Sequence, residues 1–213
     1  SGALGLVRTT RSIPSLPPIS LVLAVAVLLG SLTGCGLFDR DPGERVLIVG
    51  DSVTFMSSGP LKEDFSWADE VDIKAVSGLR TDELLPFAEE GMTHDPSSGV
   101  FMPGYNDVLQ GRVAQAKLPE MMDLAADIPC VVWLLIPDRG AYSKAQAGAW
   151  NDRVREEAKQ HDSIHVVDDW ANLVDNAPDY TLVKRQDAVH PNEKGQQAIA
   201  RVMSDSLKRE CDA

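Results

Sequence analysis

Two short segments hold residue types that together can open an ester. Gly50-Asp51-Ser52 closes the apolar run Val46-Leu47-Ile48-Val49, and Asp187-Ala188-Val189-His190 stands far downstream, ahead of a helix-forming segment. A hydroxyl, an imidazole and a carboxylate are what nucleophilic acyl chemistry needs: an attacking oxygen, a base to take its proton, and a group to orient the base. Ser52 falls where a strand would turn into a helix, with backbone amides pointing outward. Asp187 precedes His190 by three residues, so one turn of backbone brings the carboxylate to the ring. Either segment alone reads equally well as a plain turn or a loop ion pair. The case therefore depends on what the rest of the chain does with them.

Five apolar runs are expected to be strands: Arg45–Val49, Val71–Val76, Val100–Met102, Cys130–Ile136 and Ile164–Val167. The first and fourth are continuous rather than alternating, which suits strands covered on both faces of a parallel sheet. Segments of helical period lie between the runs: Thr81–Glu90, Val108–Ala126 with Pro119 interrupting it, Ala141–Gln160, and Glu193–Lys208. Asp107 with Gln110 reads as an N-cap pair for the second, and Asn192 as the cap of the last. This alternation predicts an α/β protein, a three-layer sandwich with a five-stranded parallel sheet. Such sheets bind ligands outside the C-terminal ends of their strands. Ser52 follows the first run, Gly78 the second and Asn106 the third, while Asp187 and His190 follow the fifth. All converge on one edge. Pro103, just before Asn106, predicts an irregular end to the third strand.

These segments resemble the blocks of the SGNH (GDSL-type) hydrolase superfamily: Gly50-Asp51-Ser52-Val53, Gly78 within Val76–Thr81, Gly104-Tyr105-Asn106-Asp107, and Asp187-Ala188-Val189-His190-Pro191. The resemblance implies a flavodoxin-like fold and a serine esterase without metal or organic cofactor. It implies Ser52 as nucleophile, His190 as base and Asp187 as its partner. The Ser52 and Gly78 amides and the Asn106 side chain would form the oxyanion hole, Asp51 having a structural part. Tyr105, at the block's variable position, reads either as a shaper of the pocket mouth or as surface packing. A finer resemblance, carried by Val132-Trp133, Val167-Asp168-Asp169-Trp170 and His190–Gly195, is to SGNH domains that act on acyl groups of envelope glycans. It suggests short acyl or acetyl esters as substrates, with Trp170 as a sugar platform or as packing. An O-acyltransferase with the same site, or a non-catalytic envelope lipoprotein, are the rival readings.

Residues 1–34 read as an export signal. Arg8 and Arg11 precede an apolar stretch, Ile19 to Leu32, that is short for a membrane span. Leu32-Thr33-Gly34-Cys35 resembles the bacterial lipobox, which implies a lipidated Cys35, a short tether through residue 43 and a hydrolase domain over 44–213. The expected location is outside the cytoplasm, held to the bacterial cell membrane by lipid. The formal net charge of −12 over 213 residues disfavours nucleic acid and anionic headgroups as partners. It leaves a small ester or an acylated glycan or lipid as the substrate. Cys130, opening an apolar run, reads as a buried free thiol, although export also permits a bond to Cys211. No metal-ligand spacing is present, and His94, His161 and His165 read as surface residues.

Overall fold

The computed structural model describes residues 43–212. The export segment, Cys35 and all of the tether but its last residue lie outside them. The described chain forms β1 (Arg45–Gly50), α1 (Ser52–Met56), α2 (Ser58–Asp64), β2 (Glu70–Ala75), α3 (Thr81–Met92), β3 (Ser98–Met102), α4 (Tyr105–Leu109), α5 (Leu118–Ala125), β4 (Cys130–Leu134), α6 (Lys144–Ala158), β5 (Ile164–Val167), α7 (Asp169–Asn176) and α8 (Glu193–Cys211). The five strands make one sheet in the order β2-β1-β3-β4-β5, every pair parallel. One layer holds α2, α7 and α8, the other α3, α5 and α6.

Burial follows position in the sheet. The central strands β1, β3 and β4 are buried almost throughout, because helices cover both their faces, and they carry continuous apolar runs. The edge strand β2 is half-buried and alternates apolar Val71, Ile73 and Ala75 with Asp72 and Lys74. Phe101 and Trp133 are register partners on β3 and β4, and their rings stack at 5.5 Å. The third strand is regular through Met102 and begins two residues earlier than its apolar run suggests. Pro103 falls just past its end and disturbs no ladder bond.

Two expectations are corrected. The segment 108–126 is not one helix. The chain leaves α4 at Gln110, makes a single 3-10 turn at Val113–Gln115, and starts α5 at Leu118 with Pro119 in its first turn. A proline there loses no hydrogen bond, so it opens the helix instead of breaking it. Cys130 is not a free thiol: it is bonded to Cys211, clamping the end of α8 to the start of β4. Asn192 caps α8 as expected, accepting from the Gly195 amide. Ser143, not singled out by the sequence, caps α6 in a reciprocal arrangement with Gln146.

The turn from β1 into α1 is set by Asp51. Its carboxylate is fully buried and accepts the Val53 amide at 3.2 Å and the Tyr105 amide at 3.1 Å. Burial pushes this carboxyl up to about 7; nearby Asp107 adds to the rise, and the backbone donors oppose it. An acid raised in the fold binds its proton more tightly there than in the unfolded chain. Its favourable contribution is therefore complete at low pH and is lost as pH climbs from about 4 to about 7.

Two outcomes follow. The Asp51→Asn variant should show a flatter decline of unfolding free energy between pH 4 and pH 7 than the parent; denaturant titrations across that range check this, and equal slopes refute it. Replacing Cys211 by Ser opens a cross-link that spans 81 residues of sequence. It should lower stability by about 3 kcal/mol, read by calorimetry without reductant.

Candidate active site

The segment that carries Asp187 and His190 is a tight excursion between α7 and α8. Val183 pairs antiparallel with Pro191, the Lys184 amide donates to the His190 carbonyl at 2.8 Å, and the Asn192 amide to the Leu182 carbonyl at 3.0 Å. Asn192 Nδ2 donates to the carbonyls of Tyr180, Thr181 and Val183, so the residue that caps α8 also gathers this loop. Gly195 lets the loop lie close: a Cβ there would stand 1.9 Å from the Leu182 carbonyl oxygen. Ala188 takes a left-handed φ of 53°, which turns the chain between the acid and the histidine.

The three sequence-predicted groups meet. Asp187 Oδ1 accepts the amides of Val189 at 2.9 Å and His190 at 3.0 Å, which fixes its carboxylate. Oδ2 lies 2.7 Å from His190 Nδ1. Partial burial works against ionising Asp187, but the bonds from the His190 ring and the two amides outweigh it and hold the carboxyl below its ordinary value. An ionised Asp187 requires a proton on Nδ1. Nε2 is then left as an acceptor, and it faces Ser52 Oγ at 3.0 Å. Ser52 opens α1 and is 6 % exposed. The arrangement can take a proton from Ser52 and hold it on an imidazolium whose charge Asp187 offsets.

The predicted oxyanion residues lie on the neighbouring loops. Gly78 is exposed at a φ of +85° with open space around it, a conformation that L side chains rarely adopt. Asn106 sits in the first turn of α4. Its Nδ2 donates to the Leu79 carbonyl at 3.0 Å, which identifies the nitrogen and leaves its second proton available.

Sequence reasoning misread two residues here, Asp107 and Tyr105. Asp107 is not a helix cap: Gly104 occupies that position, and Asp107 is fully buried, accepting the Thr81 amide at 2.9 Å and the Thr81 hydroxyl at 2.8 Å. Tyr105 neither shapes a pocket mouth nor packs on the surface. It is buried, and its hydroxyl accepts from Trp170 Nε1 at 2.9 Å. Of the two readings of Trp170, packing holds: the ring is wholly buried and offers no platform. The remaining histidines stand on other elements, His94 beside Asp72 at 3.0 Å, His161 3.6 Å from Asp123, and His165 within β5. Among the described residues no group of three or more His, Cys, Asp or Glu is placed to hold a metal ion.

An open groove of about 810 Å³ borders the histidine loop, lined by Asp179, Tyr180, Thr181, Lys184, Asn192 and the first turn of α8. A smaller hollow of about 230 Å³ shares Asp179 and Tyr180 with it and reaches Ala188. Neither is lined by Ser52. Nothing in composition announces the groove, because its polar residues come from a loop and a helix start that only the fold brings together.

Comparison with known proteins gives a consistent result. The pattern of the GDSL-like lipase/acylhydrolase family matches residues 48–198, a span that runs from β1 into α8 and contains the five residues predicted for the triad and the oxyanion hole. No curated protein matches the chain. Solved structures share the fold at low identity. A lipase/acylhydrolase from Enterococcus faecalis is 15% identical with a TM-score of 0.65, covering 78% of this chain and 96% of its own. The esterase EstA from Pseudoalteromonas sp. is 17% identical with a TM-score of 0.61, covering 80% and 100%. The C-terminal catalytic domain of Streptococcus pneumoniae peptidoglycan O-acetyltransferase A is 15% identical with a TM-score of 0.57, covering 79% and 93%. With its family pattern running through the sheet edge where Ser52 meets His190, the chain belongs to the GDSL-like lipase/acylhydrolase family and is an ester-hydrolysing enzyme of the SGNH type.

Proposed function

We propose that the protein is an exported, lipid-anchored serine esterase that removes short acyl groups, acetyl above all, from a polar alcohol such as an envelope glycan. The observation that carries the reading is the unbroken line Ser52 Oγ, His190, Asp187, with contacts of 3.0 and 2.7 Å. Ser52 attacks the ester carbonyl while His190 Nε2 takes its proton. The carbonyl oxygen becomes an oxyanion, met by the Ser52 and Gly78 amides and by Asn106 Nδ2. His190 then returns its proton to the leaving alkoxide, which departs as the alcohol and leaves the acyl group on Ser52. A water attacks the acyl carbonyl while His190 takes its proton; the bond from the acyl carbon to Oγ then breaks, the acid leaves and His190 returns the proton to Ser52 Oγ.

The polar groove beside the histidine loop supports a hydroxylated leaving group. A sugar hydroxyl competing with water for the acyl-enzyme would make the same site an acyltransferase. Analysing products with and without a sugar acceptor separates the two outcomes. Export draws support from the lipobox-like Leu32-Thr33-Gly34-Cys35 and from the Cys130–Cys211 bond, since disulfides persist where the surroundings are oxidising.

Ser52→Ala should lose on the order of 10⁴-fold or more in kcat on p-nitrophenyl acetate, and equal rates for the two enzymes would overturn the reading. Mass spectrometry of the membrane fraction should find the mature chain beginning at a lipidated Cys35. An unmodified Cys35 would remove the anchor while leaving the esterase untouched.

A further inference from the structure

The three proposed oxyanion donors come from three separate loops, after β1, β2 and β3. For them to meet one oxygen, those loops must hold a fixed register, and two buried carboxylates supply it. Each stands next to an acting residue: Asp51 beside Ser52, and Asp107 beside Asn106. Asp51 reaches from the α1 turn to the Tyr105 amide. Asp107 reaches from α4 to the Thr81 amide and hydroxyl, three residues past Gly78. The bond from Asn106 Nδ2 to the Leu79 carbonyl closes the same gap. Thus α4 is tied to the serine turn on one side and to the glycine loop on the other.

Stability alone gives a poor reason for this arrangement. Asp107 and Thr81 are both fully buried, and Asp107 Oδ1 has no partner among the described residues. Burial raises the Asp107 carboxyl above its usual range against the Thr81 bonds. A half-satisfied buried carboxylate is unfavourable where an apolar pair would pack. What the carboxylate does provide is two directed bonds across the gap between Asn106 and Gly78.

We propose that Asp107 is a positioning residue for ester hydrolysis: by accepting both Thr81 bonds it sets the Asn106 side chain against the Gly78 loop, so that both donors meet the oxyanion. This rests on the roles given above to Ser52, Gly78 and Asn106. Displacing one donor by a fraction of its bond length slows the chemical step and leaves substrate binding alone.

The test is a double-mutant cycle on p-nitrophenyl acetate kinetics, corrected for active-site titre. Asp107→Ala should lower kcat by about 10- to 100-fold, with KM within about two-fold of wild type. Asp107→Asn should recover most of the loss, because its carbonyl oxygen still accepts from Thr81. In an Asn106→Ala background, Asp107→Ala should add less than about a two-fold further loss, since it acts through the donor already removed. Losses that multiply, a rise in KM with kcat unchanged, or an Asn106→Ala enzyme as fast as wild type each overturn the proposal. If Asp107→Ala does not fold, Thr81→Val runs the same cycle. Its smaller loss must vanish in the Asn106→Ala background, and no loss or a multiplying one overturns the proposal. Inactive Ser52→Ala with multiplying losses removes the positioning role alone, whereas active Ser52→Ala removes the site itself.

Discussion

In a parallel sheet every strand ends at the same edge, and this one constraint organises the molecule. The chain leaves β1 for β2 on one side and returns to β3 on the other. The loops after β1 and β3 therefore diverge, and an opening forms between them where backbone amides are free. Ser52 stands on one of those loops and Asn106 on the other, with Gly78 on the flanking loop after β2. His190 arrives from the far end of the chain, and its approach needs a device of its own. Asn192 is that device, because one side chain caps α8 and collects three carbonyls of the incoming loop.

The site sets opposing electrostatic demands side by side. The oxyanion proposed to form at Ser52 is negative, yet two buried carboxyls adjoin Ser52 and Asn106 in the chain. Desolvation holds both carboxyls above their ordinary value. Asp187 is treated in the opposite way. Three hydrogen bonds hold it ionised, where a counter-charge to the imidazolium is needed. Three aspartates at one sheet edge thus differ in protonation tendency through burial and partners alone.

The sheet and the meeting of Ser52, His190 and Asp187 were legible in the sequence because their signals are local. The runs Val46–Val49 and Cys130–Ile136 suit doubly covered strands, and the three-residue step from Asp187 to His190 suits their contact. Asn192 was readable as a cap for the same reason. Residues whose partners lie far along the chain were not readable. Asp107 has the form of a helix cap, and only the placement of Thr81 across the gap gives it another use. Tyr105 reads as pocket mouth or surface, and Trp170 as platform or packing, until their mutual hydrogen bond inside the core is seen. The short helices α2 and α7 carry too few turns to declare a period. The pairing of Cys130 depended on where α8 ends, which no spacing in the sequence fixes.

The disulfide has a topological consequence. It closes a covalent ring from Cys130 to Cys211. Asp187, His190 and both hollows beside them lie within that ring, while Ser52, Gly78 and Asn106 lie outside it. The exposed turn around Asp179 and the half-buried turn around Arg139 belong to the ring. A single cut of the backbone in either turn would leave two pieces still joined through sulfur. His190 would stay attached to the half of the molecule that holds Ser52, and the damage would amount to a nick instead of a separation.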